Sequence, residues 1–305
     1  MSNKFKPLHG AVAVAFGVFL SIFTAAQENM PQQLAAASKR PSESKQKRSE
    51  KNSATDPSVV VAPELIKKIT ERERLVAADP SNPVYINNLG VSYFQAGRFR
   101  DSASALEKAA KMEPLHGTTL LNLSLTYRSL NRMDAAIAAA GRALKILPER
   151  IDAHEFLCNL YLNSDRAAEA LPCYKVVREK APNSPAVEVN YGAALFIAGE
   201  KEKALEVLKK TAAAFPNNGE AHFMLGVVQF RMKKNNAAVD SLKRAVESRP
   251  DHPIYRYNLA IAQIAVDNGA GALSQYKLLK TSDPEIAAQL YKLMFAGKIY
   301  TVEQK

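Results

Sequence analysis

Few side chains in this chain have the type and spacing to do chemistry. His154 and His222 stand 68 residues apart with no third ligand in register, so packing explains them better than a metal. The two cysteines, Cys158 and Cys173, cannot build a four-thiolate zinc site. They read as a buried thiol pair, with a disulfide as the alternative open to an exported protein. Gly269-Ala270-Gly271 follows no strand-like run, so it reads as a loop and not as a dinucleotide site. There is no phosphate loop, zinc-protease helix or nucleophile elbow. The sequence therefore predicts no enzyme, no cofactor and no metal.

One set of residues points to binding. Asn88, Asn122, Phe156, Asn190, Met224 and Asn258 recur every 34 positions. A carboxamide donates and accepts at once, so a row of them can grip a peptide backbone without reading its side chains. Six residues further on stand Phe94, Arg128, Leu162, Phe196, Phe230 and Ile264. Aromatic side chains left accessible beside such a row would supply apolar pockets; burial between neighbouring helices is the competing reading. The candidate peptide-binding set is therefore Asn88, Asn122, Asn190, Asn258, Phe94, Arg128, Phe196 and Phe230.

The elements that must position these residues follow from the same period. Pro80, Pro114, Pro148, Pro182, Pro216, Pro250 and Pro284 are spaced by 34 without an insertion, using seven of the 16 prolines. A large apolar column (Leu89, Leu123, Leu157, Tyr191, Leu225, Leu259) keeps step with them. A small column follows it directly: Gly90, Ser124, Cys158, Gly192, Gly226, Ala260. Twelve residues later comes a second small column of Ser102, Ala136, Ala170, Ala204, Ala238 and Ala272. Apolar spacing within each unit is helical and is broken at Gly97, Asn131, Asp165, Gly199, Lys233 and Asp267. Five of these six types tolerate the left-handed backbone of a helix end. A second helix then runs to the residues before each proline, which cannot continue it. Two small columns let paired axes approach to roughly 8–9 Å, and pairs must stack to bury their remaining faces.

These columns closely resemble the tetratricopeptide repeat family. The spacing, Leu89-Gly90 and Leu225-Gly226, the tyrosines Tyr93, Tyr127 and Tyr161, the second small column and the closing proline all match. The resemblance covers residues 83–286 and implies an all-α tetratricopeptide-repeat solenoid of six tandem helix pairs. It also implies that the first helix of each pair lines the inner face of a right-handed superhelix, which carries the asparagine column. That column is similar to the asparagine ladder in the superhelical arm of O-linked N-acetylglucosamine transferase. Where the family often has Trp, this chain has Ile86, Leu120, His154, Glu188, His222 and Arg256, which predicts looser stacking of the later units. The family's carboxylate clamp would need a lysine in the column Asn87, Leu121, Glu155, Val189, Phe223, Tyr257. None is basic, which argues against a chaperone-tail receptor.

The flanks complete the expected organisation. Lys4 and Lys6 precede an uncharged run from Pro7 to Gln27, with an apolar heart from Ala11 to Phe23 and then Thr24-Ala25-Ala26. This order predicts a signal peptide over 1–26, cleaved after Ala26, or a retained signal anchor. Residues 27–60 read as a disordered basic linker, 61–82 as an N-terminal capping helix, and 287–305 as a C-terminal capping helix and tail. The net charge is +11, but no basic stripe with interleaved aromatics accompanies it, which argues against nucleic acid. The resulting expectation is an exported, periplasmic or secreted scaffold, binding a peptide segment or protein surface in its concave groove. Two alternatives remain: a membrane-anchored assembly factor of a cell-envelope complex, and a non-catalytic arm of an enzyme complex. Oligomeric state is not legible.

Overall fold

The structure is a computed structural model describing residues 62–295. The predicted signal or anchor over 1–26 and the linker over 27–60 lie outside the described residues, as does the end of the tail. Among the described residues there are fourteen helices and no strand. The chain divides into two compact units after Ser164. The N-terminal unit holds α1 (Pro63–Ala78), α2 (Pro83–Gln95), α3 (Phe99–Met112), α4 (Gly117–Ser129), α5 (Met133–Ile146) and α6 (Ile151–Asn163). The C-terminal unit holds α7 (Ala167–Lys180), α8 (Pro185–Ile197), α9 (Lys201–Ala214), α10 (Gly219–Arg231), α11 (Asn235–Ser248), α12 (Pro253–Ile264), α13 (Gly269–Ser282) and α14 (Pro284–Phe295).

The 34-residue lattice sets the helix ends. Asp79, Glu113, Leu147, Ala181, Phe215, Arg249 and Asp283 are C-caps, and each is followed by a lattice proline. The pre-proline residue is driven out of the helical region, so the helix stops there. The break column behaves alike: Gly97, Asn131, Asp165, Gly199, Lys233 and Asp267 all have positive φ. Lys233 does so at φ 60° with a Cβ, which an L-residue tolerates poorly. Asparagines cap first helices, Asn82 accepting from Val84 N and Tyr85 N, and Asn218 from Ala221 N. The last helix begins at Pro284, earlier than the expected cap boundary at 287, because proline suits a first helical position. Asp283 Oδ1 caps it by accepting from Ile286 N at 3.0 Å. Pro172 lies inside α7 on an exposed side.

Packing follows the small columns. Ser102, Ala136, Ala170, Ala204, Ala238 and Ala272 are completely buried. A Cβ on Gly90, Gly192 or Gly226 would stand 2.6–2.7 Å from Leu106, Leu208 or Leu242 respectively. Where the partner is smaller, at Ala140, the column carries Ser124, whose Oγ donates to the Ala136 carbonyl at 2.6 Å. Cores form around Leu106, Leu120, Leu123 and Leu144 in the N-terminal unit and around Tyr257, Leu279 and Leu290 in the C-terminal unit. The capping helix α1 packs Leu65, Ile69 and Val76 against Leu89, Tyr93 and Ala96. The thiol reading is corrected: Cys158 and Cys173 are both disulfide-bonded.

Of the residues standing in the family's Trp column, Ile86 and Leu120 are buried in the core, and the four polar ones are tied down by polar bonds. His154 Nε2 donates to the Pro148 carbonyl at 2.8 Å and His222 Nε2 to the Pro216 carbonyl at 2.9 Å. Glu188 receives a two-pronged bond from Arg178, and Arg256 donates to Gln275 Oε1 at 2.9 Å. Each polar substitute thus fastens its helix to the preceding turn or to the neighbouring second helix.

Candidate peptide-binding face

In the N-terminal unit the first helices are α2, α4 and α6. Asn88 and Asn122 are half-buried on α2 and α4, and Asn87 links them. Asn87 Oδ1 accepts from Asn122 Nδ2 at 3.3 Å and from Thr119 Oγ1 at 3.2 Å, while Asn87 Nδ2 donates to Asn88 Oδ1 at 3.4 Å. Asn88 Nδ2 and Asn122 Oδ1 take no hydrogen bond among the described residues. A donor on one helix is therefore followed by an acceptor on the next. Arg72 of the capping helix fixes the start of this row by donating to the Asn88 carbonyl and to Ser92 Oγ.

Arg128 and Phe156 continue the face. The Arg128 guanidinium lies over the Phe156 ring, 5.2 Å from its centroid, and burial lowers its pKa from the ordinary arginine value. On α6, burial raises the Glu155 carboxyl, with Asp152 adding to the effect. Phe94 is half-buried and meets Phe99 edge-on at 5.3 Å. It packs partly on its own pair.

The C-terminal unit presents a different face. Asn190, Asn258, Phe196 and Phe230 are half-buried, and Met224 is buried. Asn258 Nδ2 donates to the Ile254 carbonyl of its own helix at 2.9 Å, so that amide is engaged locally. Where Asn87 meets Thr119 in the N-terminal unit, the corresponding Phe223 stacks on Tyr255 at 4.7 Å. The asparagine row is joined through Asn87 at Asn88 and Asn122.

Sequence reasoning missed two features. In the sequence pattern Asn87 enters only as a non-basic clamp position, although its adjacency to Asn88 marks a second amide on the same helix. The tyrosine stripe also carries charge. Tyr93 Oη donates to Glu73 and Tyr127 Oη to Glu107, while Arg98 and Arg132 lie 4.2 and 4.5 Å from the ring centroids. Burial and the glutamate push the Tyr93 phenol up to about 12. The signal was present for these two: Tyr93 and Tyr127 each have Glu 20 residues before and Arg five after, whereas Tyr161 keeps the arginine, Arg166, but has Gly141 in place of the glutamate. Among the described residues no cluster of three His, Cys, Asp or Glu side chains could hold a metal.

An all-α array of stacked helix pairs defines a helical-repeat interaction scaffold. Tetratricopeptide repeat models match residues 87–151, 127–189 and 195–256. The chain belongs to the tetratricopeptide repeat family. It is 24% identical over 137 residues to BBSome complex member BBS4 of Mus musculus, covering 45% of this chain and 26% of that protein. It is 31% identical over 115 residues to anaphase-promoting complex subunit CDC16 of Saccharomyces cerevisiae, covering 35% and 14%. The chain thus spans about a quarter or less of these curated relatives. A tetratricopeptide repeat protein from Parabacteroides merdae superposes with a TM-score of 0.65 at 16% identity, covering 76% of this chain and 93% of that one. PilW, described as a type IV pilus biogenesis factor, superposes with a TM-score of 0.58 at 19% identity, covering 68% and 98%. These two likenesses concern the fold.

Proposed function

We propose that the chain is an exported, non-catalytic scaffold that holds an extended segment of a protein partner on the first-helix face of its N-terminal unit. The observation carrying this is the Asn88–Asn87–Asn122 network, which leaves a donor and an acceptor on successive helices. A peptide backbone offers the complementary acceptor and donor along one edge. Arg128 over Phe156 adds a cationic, partly apolar floor beyond the amides. The family supports a protein-interaction role and is typically non-catalytic. A peptide selected by the wild-type chain from a random library provides the test. On titration, amide resonances of α2 and α4 should shift while those of α3 and α5 stay in place. Shifts confined to the second helices would overturn the proposal.

A membrane-anchored assembly factor is the second reading. Both curated relatives are, by description, members of multiprotein complexes, and the apolar heart Ala11–Phe23 suits an anchor as well as a signal. N-terminal sequencing after expression in an exporting host separates them: a chain starting at Gln27 supports export with cleavage, and one retaining Met1 supports the anchor.

A further inference from the structure

The repeats contain an internal comparison. In the N-terminal unit Tyr127 fills the space between α3, α4 and α5. Its hydroxyl reaches Glu107 at 2.8 Å, and Arg132 and Arg142 lie close enough to act on the phenol. Three lattice steps later the corresponding residues are Gln229 for Tyr127, Lys209 for Glu107 and Arg244 for Arg142. The ring is gone. In its place a cavity of about 300 Å³ opens between α9, α10 and α11, with Ala212, Leu225 and Ala237 among its apolar walls. That volume is at the lower end for ligand pockets of roughly 300–1,000 Å³.

The polar groups are sorted by depth. His222 and Gln229, 3% and 5% exposed, lie deep; Lys209, Asp240 and Arg244 are exposed at the rim. A carbonyl can only accept, so the His222 bond to Pro216 uses Nε2–H and leaves Nδ1 as the ring's remaining polar atom. Ser241 Oγ donates to Gln229 Oε1 at 2.7 Å, leaving the Gln229 NH₂ without a partner among the described residues. An acceptor and a donor therefore line the deep end. At the rim Lys209 and Arg244 contribute two positive charges against one from Asp240, and none of the three has an ion pair among the described residues.

We propose that this cavity docks a tyrosine side chain from an acidic segment of a protein partner. The phenol enters from outside, donates to His222 Nδ1 and accepts from the Gln229 amide, while its ring occupies the space that Tyr127 fills from within. Lys209 and Arg244 stand over the ring edge and face the acidic neighbours, as Arg132 stands over Tyr127. This site belongs to the second-helix side of the C-terminal unit and is independent of the asparagine face.

The test uses the full chain and the acetylated, amidated pentapeptide Glu-Glu-Tyr-Glu-Glu, with binding read by nuclear magnetic resonance shifts of α10 and α11. Replacing the peptide's Tyr by Phe, or its Glu by Lys, should weaken binding at least about fivefold, the loss of roughly one hydrogen-bonded or charged contact. Lys209→Glu alone, on an exposed position, should fold as wild type and weaken the acidic peptide likewise. The double variant Lys209→Glu/Gln229→Tyr rebuilds the filled arrangement, so it should abolish binding and melt no lower than wild type. Asn88→Ala/Asn122→Ala should leave this binding unchanged. Equal binding by the double variant, equal binding of the Phe peptide, or no binding to wild type overturns the proposal. Para-cresol binding as tightly as the peptide would do so too, assigning the cavity to a free phenol.

Discussion

Adding one methyl group at Gly226 should destabilise the protein, although glycine is a poor helix residue. Gly226 lies within α10 and is buried. A Cβ there would stand 2.6 Å from Leu242 Cγ, 3.0 Å from Leu242 Cδ2 and 3.3 Å from the Ala238 carbonyl oxygen. Leu242 is 1% exposed and has no open side to retreat into. Helix propensity alone favours alanine by about 1 kcal/mol, whereas overpacking costs about 1–3 kcal/mol. The net expectation is a loss of about 0–2 kcal/mol. Gly141 supplies the control: it lies within α5, and nothing stands within 4 Å of its added Cβ. Gly141→Ala should therefore gain about 0.5–1 kcal/mol. The gap between the two variants isolates the small-column clash. Urea unfolding followed by circular dichroism reads both. Shortening the facing residue should restore compatibility, since the column carries Ser124 where the residue 16 positions on is Ala140 and not leucine; Gly226→Ala should cost less in a Leu242→Ala background than alone. If Gly226→Ala proves as stabilising as Gly141→Ala, the small columns do not set the helix spacing.

Three further outcomes follow from local geometry. Lys233→Gly should stabilise by up to about 1 kcal/mol, because φ 60° strains a residue with a Cβ; a lower unfolding midpoint would contradict this. Burial raises the Glu220 carboxyl above the ordinary carboxylate range, with Arg249 opposing. Its folded-state contribution is therefore complete in acid and is lost as pH rises through that raised value. Glu220→Gln should raise the melting temperature at neutral pH and converge with wild type in acid, and a pH series of melts checks it. Asn258→Ala should leave peptide binding nearly unchanged, since its NH₂ donates to the Ile254 carbonyl and the residue before it in the column is Met224, so no amide on the preceding first helix pairs with it.

The helix lattice was legible because backbone chemistry wrote it. Each lattice proline stops the helix before it, although Pro172 is carried inside α7, and all six break-column residues adopt positive φ, even Lys233, whose type gave no hint. Burial of the second small column was legible for the same reason: only Ser or Ala occurs there, and all six are buried. The candidate binding face was legible only as a register. Position 34n after Asn88 says which residues share a face, but not which amides are already spent. Asn258 bonds its own helix, while Asn88 and Asn122 are joined through Asn87, a residue in the adjacent column. The empty slot beside Gln229 was also hidden. It appears only when the space that Tyr127 fills is compared with the same space three repeats later.

The central claim is that paired amides on successive first helices hold a partner's backbone. It is tested most directly by the affinity of one library-selected peptide, measured calorimetrically for wild type, Asn88→Ala/Asn122→Ala and Asn258→Ala. Two net hydrogen bonds are worth about 1–3 kcal/mol together, or roughly five- to 150-fold in affinity. The account predicts that loss for the double variant, which stays folded with a melting curve lowered only by the loss of the two bonds to Asn87, and little change for Asn258→Ala. Full affinity in the double variant, or equal losses in both variants, would contradict it.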